Sequence, residues 1–288
     1  MLLRRFDLHK PETLPALFDL LDRHGDEASV LAGGTELLIA LKARVLHYPH
    51  LVSLKGIAGL ADIVDAGDCI SIGALASHHA IARHPLVRGY LPGYAELSDN
   101  IANIRVRCAG TLGGNLCFAE PHADPPAMLA ALGARLRLQS ATGSRDCAMA
   151  DFIQGDFETD RQPGEILTAI LVPKPAQSLR AAYRCYGASH RPVAGGAAAI
   201  TLDAAGKCQA AAFWIGAVCG RPVALAQAAA AVIGMDAAEM AETLPALIAP
   251  EIAALEASDD NHGAADYKRH LARTMLLRAA ATANQVAA

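Results

Sequence analysis

Two glycine-containing segments carry the clearest potential for chemistry in this sequence. Residues 111–115 have the sequence TLGGN, and residues 32–37, far upstream, have the sequence AGGTEL. Glycines lack a Cβ atom, so the backbone N–H groups beside them can approach a bulky anion closely. The hydroxyl and amide side chains of such segments can add hydrogen bonds to phosphate or ribitol oxygens. Two segments of this kind suit a ligand with two phosphates, so the sequence favours a dinucleotide.

An ordinary tight turn is the alternative interpretation of either segment. In the upstream segment, Val30 and Leu31 predict a short buried strand, and a helix from Leu37 to about Arg44 follows the glycines. A strand that leads through glycines into a helix is a typical anion site, because the unpaired N–H groups point outward. It is equally typical of a plain strand–helix connection, and this segment alone leaves the two interpretations even.

Acidic residues beyond the second segment form a further candidate group. Asp124 precedes two prolines and an apolar helix predicted over 127–132. It can therefore cap that helix, accept hydrogen bonds from a ligand's hydroxyl groups, or do both. Glu120 and His122 could form an acid–base pair, although their spacing favours local hydrogen bonding within a turn.

Histidines and cysteines give no familiar metal pattern. His78, His79 and His84 follow a predicted strand without a third ligand at a known spacing, so no metal site is predicted. Seven cysteines are widely spaced and none forms a Cys-x-x-Cys pair. This argues against a disulfide framework and against a zinc or iron–sulfur site, and favours reduced thiols in a cytoplasmic protein.

Composition narrows the class of protein. A chain of 288 residues with 53% hydrophobic residues predicts two or three domains with ample material for cores. The net charge of −4 is dispersed, and no basic stripe predicts binding to nucleic acid. No apolar run reaches the roughly 18 residues of a membrane helix, and the N-terminus does not have the pattern of a signal peptide.

Strands and helices alternate along the chain. Strands are predicted at 2–8, 30–31, 51–54, 69–74, 135–139, 165–172, 182–185, 197–202 and 210–218. Helices are predicted from 11 to about 24 and at 37–44, 86–103 (interrupted at 92–93), 127–132, 224–233, 237–247 and 266–283. Residues 173–178 are the best linker candidate. The last helices carry nothing catalytic, and either pack within a domain or contact another chain.

With these motifs in place, the sequence resembles the FAD-binding subunit of the molybdenum hydroxylases, the family of xanthine dehydrogenase and aerobic carbon monoxide dehydrogenase. The family motifs A-G-G-x-(S/T/E)-L and T-(I/L)-G-G-N match the two glycine segments in order. Phe118–Pro121 with Asp124, Gly164–Pro173 and the sequence YKRHL at 267–271 match later motifs. The resemblance covers essentially the whole chain.

The resemblance implies an α+β architecture in three parts. Two N-terminal lobes, 1–55 and 56–175, would form the PCMH-type FAD-binding fold that is shared with vanillyl-alcohol oxidase. Residues 179–288 would form a C-terminal α+β domain of the carbon monoxide dehydrogenase flavoprotein type.

It also implies FAD as the cofactor of this chain and names the residues that would bind it. The two glycine segments would hold the pyrophosphate and nearby ribitol, Asp124 would bind hydroxyls or ring edges, and Leu167 and Arg184 would lie near the isoalloxazine. The chain departs from the family after Arg184, where residues 185–191 replace a pattern close to R-R-x-x-D. The full implied set is Val30, Leu31, Ala32, Gly33, Gly34, Thr35, Glu36, Leu37, Ile101, Thr111, Leu112, Gly113, Gly114, Asn115, Asp124, Leu167 and Arg184.

The implied function is electron transfer within a larger assembly. A large partner subunit would carry the molybdenum cofactor, a small partner subunit would carry two-iron two-sulfur clusters, and FAD on this chain would pass electrons to an external acceptor such as NAD, oxygen or a quinone. No catalytic residue and no substrate are assigned to this chain. Two alternatives stay open here: a stand-alone flavoprotein oxidase or reductase of the same fold, and a scaffold subunit without FAD.

Overall fold

The computed structural model describes residues 3–174, 178–187 and 191–284, so half of the predicted linker at 173–178 lies outside the described residues. The first lobe is a three-stranded parallel sheet of β1 (Asp7–His9), β2 (Ala28–Leu31) and β3 (His50–Ser53), in the order β1-β3-β2. Helix α1 (Leu14–His24) connects β1 to β2, and α2 (Leu37–Lys42) follows β2. The α1 side chain Leu17 packs with Val52 of β3 in the small core of this lobe.

The second lobe is built on a five-stranded antiparallel sheet with helices against it. Its strands are β4 (Ile63–Asp65), β5 (Cys69–Gly73), β6 (Arg135–Ser140), β7 (Gly143–Ala148) and β10 (Ile166–Pro173). A separate short hairpin of β8 (Ile153–Gly155) and β9 (Glu158–Thr159) precedes β10. The sheet order is β4-β5-β10-β6-β7. Its helices are α3 (His78–Arg83), α4 (Pro85–Tyr90), α5 (Pro92–Asn100), α6 (Ile104–Ala109), α7 (Leu112–Phe118), α8 (Pro125–Ala131) and α9 (Met149–Phe152).

The C-terminal part is a four-stranded antiparallel sheet covered by a long helix. It contains β11 (Leu179–Tyr186), β12 (Ala194–Leu202), β13 (Cys208–Gly216) and β14 (Val223–Ala224) in that order, followed by α10 (Ala226–Ala231), α11 (Ala237–Leu247), α12 (Ala249–Ala253) and α13 (Ala265–Asn284). Helix α13 lies directly on β12, where a Cβ atom at Gly196 would overlap the backbone of Leu276. Small residues in β12 therefore set the short distance between helix and sheet.

The α+β architecture predicted from the sequence is confirmed, with local differences. The helix predicted over 86–103 with an interruption at 92–93 is two helices, as predicted. The break falls at Leu91 (φ −132°, ψ 53°), just before Pro92, and the second helix ends already at Asn100. Strand β1 begins only at Asp7, and the helix predicted over 224–233 is divided between β14 and α10. Each large sheet falls within one of the three predicted segments, while the segment boundaries stay predictions.

Within the described residues, no helix has both the length and the apolar character that crossing a membrane requires.

Candidate functional site

The two glycine segments, 80 residues apart in sequence, lie against each other in the structure. A Cβ atom at Gly33 would overlap the carbonyl oxygen of Ala109 and would lie 2.9 Å from the Cα of Gly110. Thr35 Oγ1 is 3.4 Å from the position that a Cβ atom of Gly110 would take. Only a residue without a side chain fits at position 33, so this glycine is what allows the two backbones to meet.

The upstream segment presents unpaired backbone donors. Within the described part of the chain, the N–H groups of Gly33, Gly34, Thr35 and Glu36 donate no hydrogen bond. The turn passes through the left-handed region at Gly34 (φ 75°), a conformation that side chains disfavour. Successive free N–H groups on such a turn form a concave site for an anion. We refer to residues 33–36 as the amide turn.

The downstream segment uses its backbone donors internally. Thr111 caps α7 by accepting a hydrogen bond at its Oγ1 from the Gly114 N–H (3.1 Å), and its carbonyl accepts the Asn115 N–H (3.0 Å). The N–H groups of Leu112 and Gly113 donate to the carbonyls of Ala76 (3.0 Å) and Ala74 (2.8 Å). These four N–H groups are therefore already paired within the chain, and contact of this segment with FAD stays a prediction.

Close packing explains the glycine at position 113 instead. A Cβ atom there would lie 2.5 Å from the Cβ of Ala74 and 2.7 Å from its carbonyl oxygen. Helix α7 can therefore approach the turn after β5 only because position 113 has no side chain. Gly114 is less constrained: its Cβ position is 2.8 Å from Thr111 Oγ1 and 3.6 Å from the Cβ of Ala32.

Two shielded side-chain oxygens lie on the elements that follow. Asn115 Oδ1 on α7 and Asp124 Oδ1, just before α8, are shielded from solvent and have no hydrogen-bond partner among the described residues. Asp124 occupies the N-cap position of α8 but its side chain makes no capping hydrogen bond, so that alternative role is not realised. A buried polar atom without a partner costs about 1–3 kcal/mol, which makes both oxygens candidates for ligand contacts.

The environment of Asp124 favours its neutral form. Burial raises the pKa of Asp124 to about 6, and the Tyr183 hydroxyl and Cys185 thiol beside the carboxyl oppose that rise. Both come from β11 of the C-terminal part. The Tyr183 hydroxyl lies over β12, where a Cβ atom at Gly195 would overlap it, and it makes no well-aligned hydrogen bond itself. A carboxyl with this pKa changes its charge near neutral pH.

Arg191 connects the C-terminal part to both lobes. Its Nη2 donates to Glu36 Oε2 of the amide turn and its Nη1 donates to Glu120 Oε1, each at 3.0 Å. Glu120 also accepts from the backbone N–H of His122 (3.0 Å), as the predicted local turn bonding requires. Burial acts to raise the pKa of Glu120, but His122 and Arg191 together lower that pKa below its usual value. Sequence reasoning missed Arg191, because both partners are distant in the chain.

Two buried polar residues, His78 and Lys268, connect to the segments that carry the candidate site residues, either directly or through Asp260. Burial lowers the pKa of His78 to about 4, so its imidazole is neutral, and its backbone N–H donates to the Gly110 carbonyl (3.3 Å). Lys268 of the YKRHL motif is almost fully buried and pairs with Asp260, whose other neighbour is His122 Nε2 at 3.9 Å. The motif thus anchors the C-terminal part to the loop that carries Glu120.

The remaining residues of the implied FAD set lie on β2, α2, β10 and β11 and after α5. Ile101 is buried after α5, where its carbonyl accepts Arg107 Nη1 (2.9 Å), and Leu167 is buried in β10 opposite Leu138. Arg184 donates to Glu96 Oε1 on α5 (3.0 Å) and to the Tyr183 carbonyl (2.8 Å). Val30 and Leu31 end β2, and Leu37 begins α2. Their contacts with a flavin stay predictions.

Fold and site together define a two-lobed flavin-binding protein with an appended α+β domain. Residues 4–175 match the family described as FAD binding domain in molybdopterin dehydrogenase. Residues 186–283 match the CO dehydrogenase flavoprotein C-terminal domain. The chain belongs to this family of FAD-binding oxidoreductase chains, as the resemblance predicted.

Named relatives and solved structures agree with that assignment. The chain is 34% identical over 275 residues to the carbon monoxide dehydrogenase medium chain of Afipia carboxidovorans, and the alignment covers 95% of each chain. It is 31% identical to the 6-hydroxypseudooxynicotine dehydrogenase complex subunit alpha of Paenarthrobacter nicotinovorans, over 96% of this chain and 94% of that one. The corresponding chain of the carbon monoxide dehydrogenase structure from Hydrogenophaga pseudoflava superposes with a TM-score of 0.94 at 29% identity, with 98% of each chain covered.

Proposed function

We propose that this chain is the FAD-binding, electron-transferring subunit of a heteromeric molybdenum hydroxylase located in the cytoplasm. Its relatives include a medium chain and a subunit of a dehydrogenase complex, and both match nearly the whole of it. The partners would be a small iron–sulfur subunit, a large subunit with the molybdenum cofactor, and an external electron acceptor. FAD supplies the redox chemistry, because a flavin can exchange single electrons with an iron–sulfur cluster and electron pairs with a final acceptor.

The observations that carry this proposal are the amide turn and the two unpartnered oxygens. Four free N–H groups at residues 33–36 fit the oxygens of a pyrophosphate, which are acceptors only. Asn115 Oδ1 and Asp124 Oδ1 fit donor groups, such as the hydroxyls of ribitol and ribose or ring N–H groups. The residues present therefore fit FAD, with donors facing its anionic centre and acceptors for its hydroxyls.

Arg191 offsets the negative charge of Glu36, which belongs to the proposed anion site. Glu36 belongs to the amide turn, and its carboxylate would repel a pyrophosphate bound there. Arg191 holds that carboxylate and the one of Glu120 in ion pairs at 3.0 Å. The guanidinium thus neutralises negative charge near the proposed anion site, and it also fixes the C-terminal part against both lobes.

Asp124 would bind FAD most effectively as a carboxylate. Above its pKa of about 6 it only accepts hydrogen bonds, which suits ligand hydroxyls. Leu167, Ile101 and Arg184 would complete the site on the isoalloxazine side. The buried Tyr183 hydroxyl then keeps the Asp124 carboxyl oriented, because it is held in place by its contact with Gly195.

An FAD titration of the deflavinated full chain tests this site. We expect stoichiometric binding with quenched flavin fluorescence, and an affinity at least about tenfold lower for Asn115→Ala, since a hydrogen bond to a buried ligand group is lost. Asn100→Ala is the matched control, because Asn100 is exposed at the end of α5 and bonds only to the Glu96 carbonyl. Equal affinity of the two variants would remove Asn115 from the site.

Purification of the native assembly tests the role of the subunit. We expect this chain to co-purify with two further chains, with molybdenum and iron in the complex and FAD on this chain. Turnover by this chain alone, without partners, would instead identify a stand-alone flavoprotein. A purified chain that holds no flavin, alone or assembled, would identify a scaffold.

A further inference from the structure

Three histidines that are scattered in the sequence meet on the first lobe, away from the proposed FAD site. His9 lies at the end of β1, His24 is the last residue of α1, and His50 is the first residue of β3. One ring nitrogen from each lies within 4.8 Å of the other two. The ring centroids of His24 and His50 are 3.8 Å apart. The ring centroid of His9 lies 5.1 Å from that of His24 and 5.3 Å from that of His50. We refer to these residues as the histidine cluster.

The topology of the lobe forces this meeting. In the parallel pair of β1 and β3, Asp7 is opposite His50 and His9 is opposite Val52, so all four side chains lie on one face of the sheet. Helix α1 covers that face, as the contact of Leu17 with Val52 shows. Because α1 ends at His24, before Gly25 turns the chain away (φ 49°), the His24 ring lies against His50.

We propose that the histidine cluster, with the Asp7 carboxylate as a fourth ligand, binds a divalent transition metal of the Zn²⁺ type. Imidazole nitrogens with one carboxylate oxygen suit Zn²⁺, Co²⁺, Ni²⁺ and Cu²⁺, whereas Mg²⁺ and Ca²⁺ prefer oxygen ligands. The three histidines come from three separate elements, so the folded lobe assembles the ligands, as structural metal sites do.

The distances fit a tetrahedral ion. Zn–N bonds of about 2.0 Å place neighbouring ligand atoms about 3.3 Å apart. His9 Nε2 and His50 Nδ1 are separated by 3.2 Å, and Asp7 Oδ2 is 3.6 Å from His50 Nδ1. A ring nitrogen of His24 lies within 4.8 Å of ring nitrogens of both His9 and His50. Asp7 lies outside this group of three, so its exposed side chain would have to rotate to become the fourth ligand.

The accessibility of the ligands also fits a metal. The three rings are half-buried, and Asp7 is exposed, so one side of the cluster is open to an entering ion.

The cluster is separate from the proposed FAD site. His50 pairs with Ala28 at the start of β2, whereas the amide turn follows the other end of that strand. A bound ion would join β1, α1 and β3 and so brace the strand that leads to the amide turn. Metal binding would stabilise the folded lobe by mass action, without any direct part in flavin chemistry.

Metal titrations of the untagged, FAD-loaded full chain test this inference after treatment with a chelator. Calorimetry with Zn²⁺ should give one site with a Kd below about 1 μM, in the range of designed and natural histidine sites. Co²⁺ should give visible d–d bands of a tetrahedral ion without thiolate charge-transfer absorption, which separates the cluster from the seven free cysteines. Thermal unfolding should shift upward with added Zn²⁺.

Single substitutions identify the ligands. We expect His24→Ala and His50→Gln each to weaken Zn²⁺ binding by at least about 30-fold, and Asp7→Asn by about tenfold, since even outer partners of metal ligands contribute about 10–100-fold. His47→Ala is the matched control, because His47 is an exposed histidine in the same lobe and not in the cluster. FAD content and metal-free unfolding should match the parent chain in every variant, which separates lost ligation from misfolding.

The inference is overturned if Zn²⁺ binds no tighter than about 100 μM, or if His24→Ala and His50→Gln bind as tightly as His47→Ala. Thiolate absorption in the Co²⁺ complex would assign the ion to cysteines instead, and would also overturn it. Because FAD content is measured separately, failure of the metal site leaves the proposed FAD function untouched.

Discussion

The two glycine segments have almost the same composition but different physical roles. At 33–36 the backbone N–H groups have no partner in the described chain, and the glycines keep a turn in a conformation that exposes them. At 111–115 the N–H groups from Leu112 to Asn115 are all paired, and the close contact with Ala74 requires glycine at position 113. One segment offers donors to a ligand, and the other holds the scaffold together.

A glycine pair therefore has two distinct physical uses. A glycine can free the backbone for a ligand, or it can remove a side chain from a packed interface. Gly33 serves both uses, because its missing Cβ also admits Ala109. Substitutions that add one methyl group at a time distinguish these two uses.

Gly33→Ala should have the largest effect on FAD. The new Cβ overlaps backbone atoms of Ala109, which cannot rotate away, so the two segments must separate and the amide turn must distort. We expect the FAD content of the purified chain to fall by at least about tenfold, equivalent to about 1.4 kcal/mol or more. Gly89→Ala is the control, since a Cβ there has nothing within 4 Å. Normal FAD content in Gly33→Ala would remove the amide turn from the site.

Gly113→Ala should mainly affect stability. The added methyl group is forced against Ala74, and overpacking of this kind costs about 1–3 kcal/mol. Urea unfolding should show that loss. The folded fraction should keep FAD affinity within about threefold, because the N–H groups here are already paired within the chain. Gly114→Ala should cost less, as only Thr111 Oγ1 is close. A larger loss of FAD affinity than of stability would reverse our assignment of the two segments.

Asp124→Asn should separate ligand binding from stability. Because the pKa of Asp124 is raised to about 6, its stabilising contribution to the FAD-free chain is fully present below about pH 4 and is lost as pH rises through about 6. The asparagine variant should therefore be about 1–2 kcal/mol more stable than the parent at pH 8, and equal to it at pH 4.

The same variant should bind FAD about tenfold more weakly at pH 8, since a charged acceptor is lost. Unfolding curves and FAD titrations at both pH values provide the measurement. A variant that is less stable than the parent at pH 8 would show that the Asp124 carboxylate already has a strong partner in the FAD-free chain.

Arg191→Gln should have the smallest effect. The two ion pairs are partly exposed, so their loss should cost at most about 1 kcal/mol of stability. FAD affinity should fall about threefold at low salt, because the Glu36 carboxylate is no longer neutralised, and the difference should shrink as salt is added. Arg88→Gln, at an exposed position on α4, is the control. A salt-independent difference would point to packing rather than charge.

Local patterns in the sequence identified most of the architecture. Helical periodicity located α1, α11 and α13, and alternating apolar residues located β5, β6 and β10, because those signals need only neighbouring residues. The predicted helix–break–helix around Pro92 also follows from local backbone sterics. The predicted first strand begins too early, and the division between β14 and α10 was missed, since sheet pairing decides where strands begin.

The candidate site was predicted less completely. The two glycine segments, Asn115 and Asp124 were identified from residue types and family motifs, and the structure places the segments together as expected. Arg191, Tyr183 and the histidine cluster were missed, because their partners are distant in the chain. No local pattern contains a contact between residues 36 and 191, or between residues 9 and 50.

The α+β architecture, the family and the two segments proposed for FAD binding followed from the sequence alone, because periodicity and motif order are properties of neighbouring residues. Only the tertiary structure decided which glycine segment keeps free donors, since that depends on whether another backbone, here the carbonyls of Ala74 and Ala76, takes up the N–H groups. It also decided that Asp124 is a shielded, unpartnered carboxyl rather than a helix cap. Hydrogen bonding and burial are settled by what packs around a group, and that information exists only once the chain has folded.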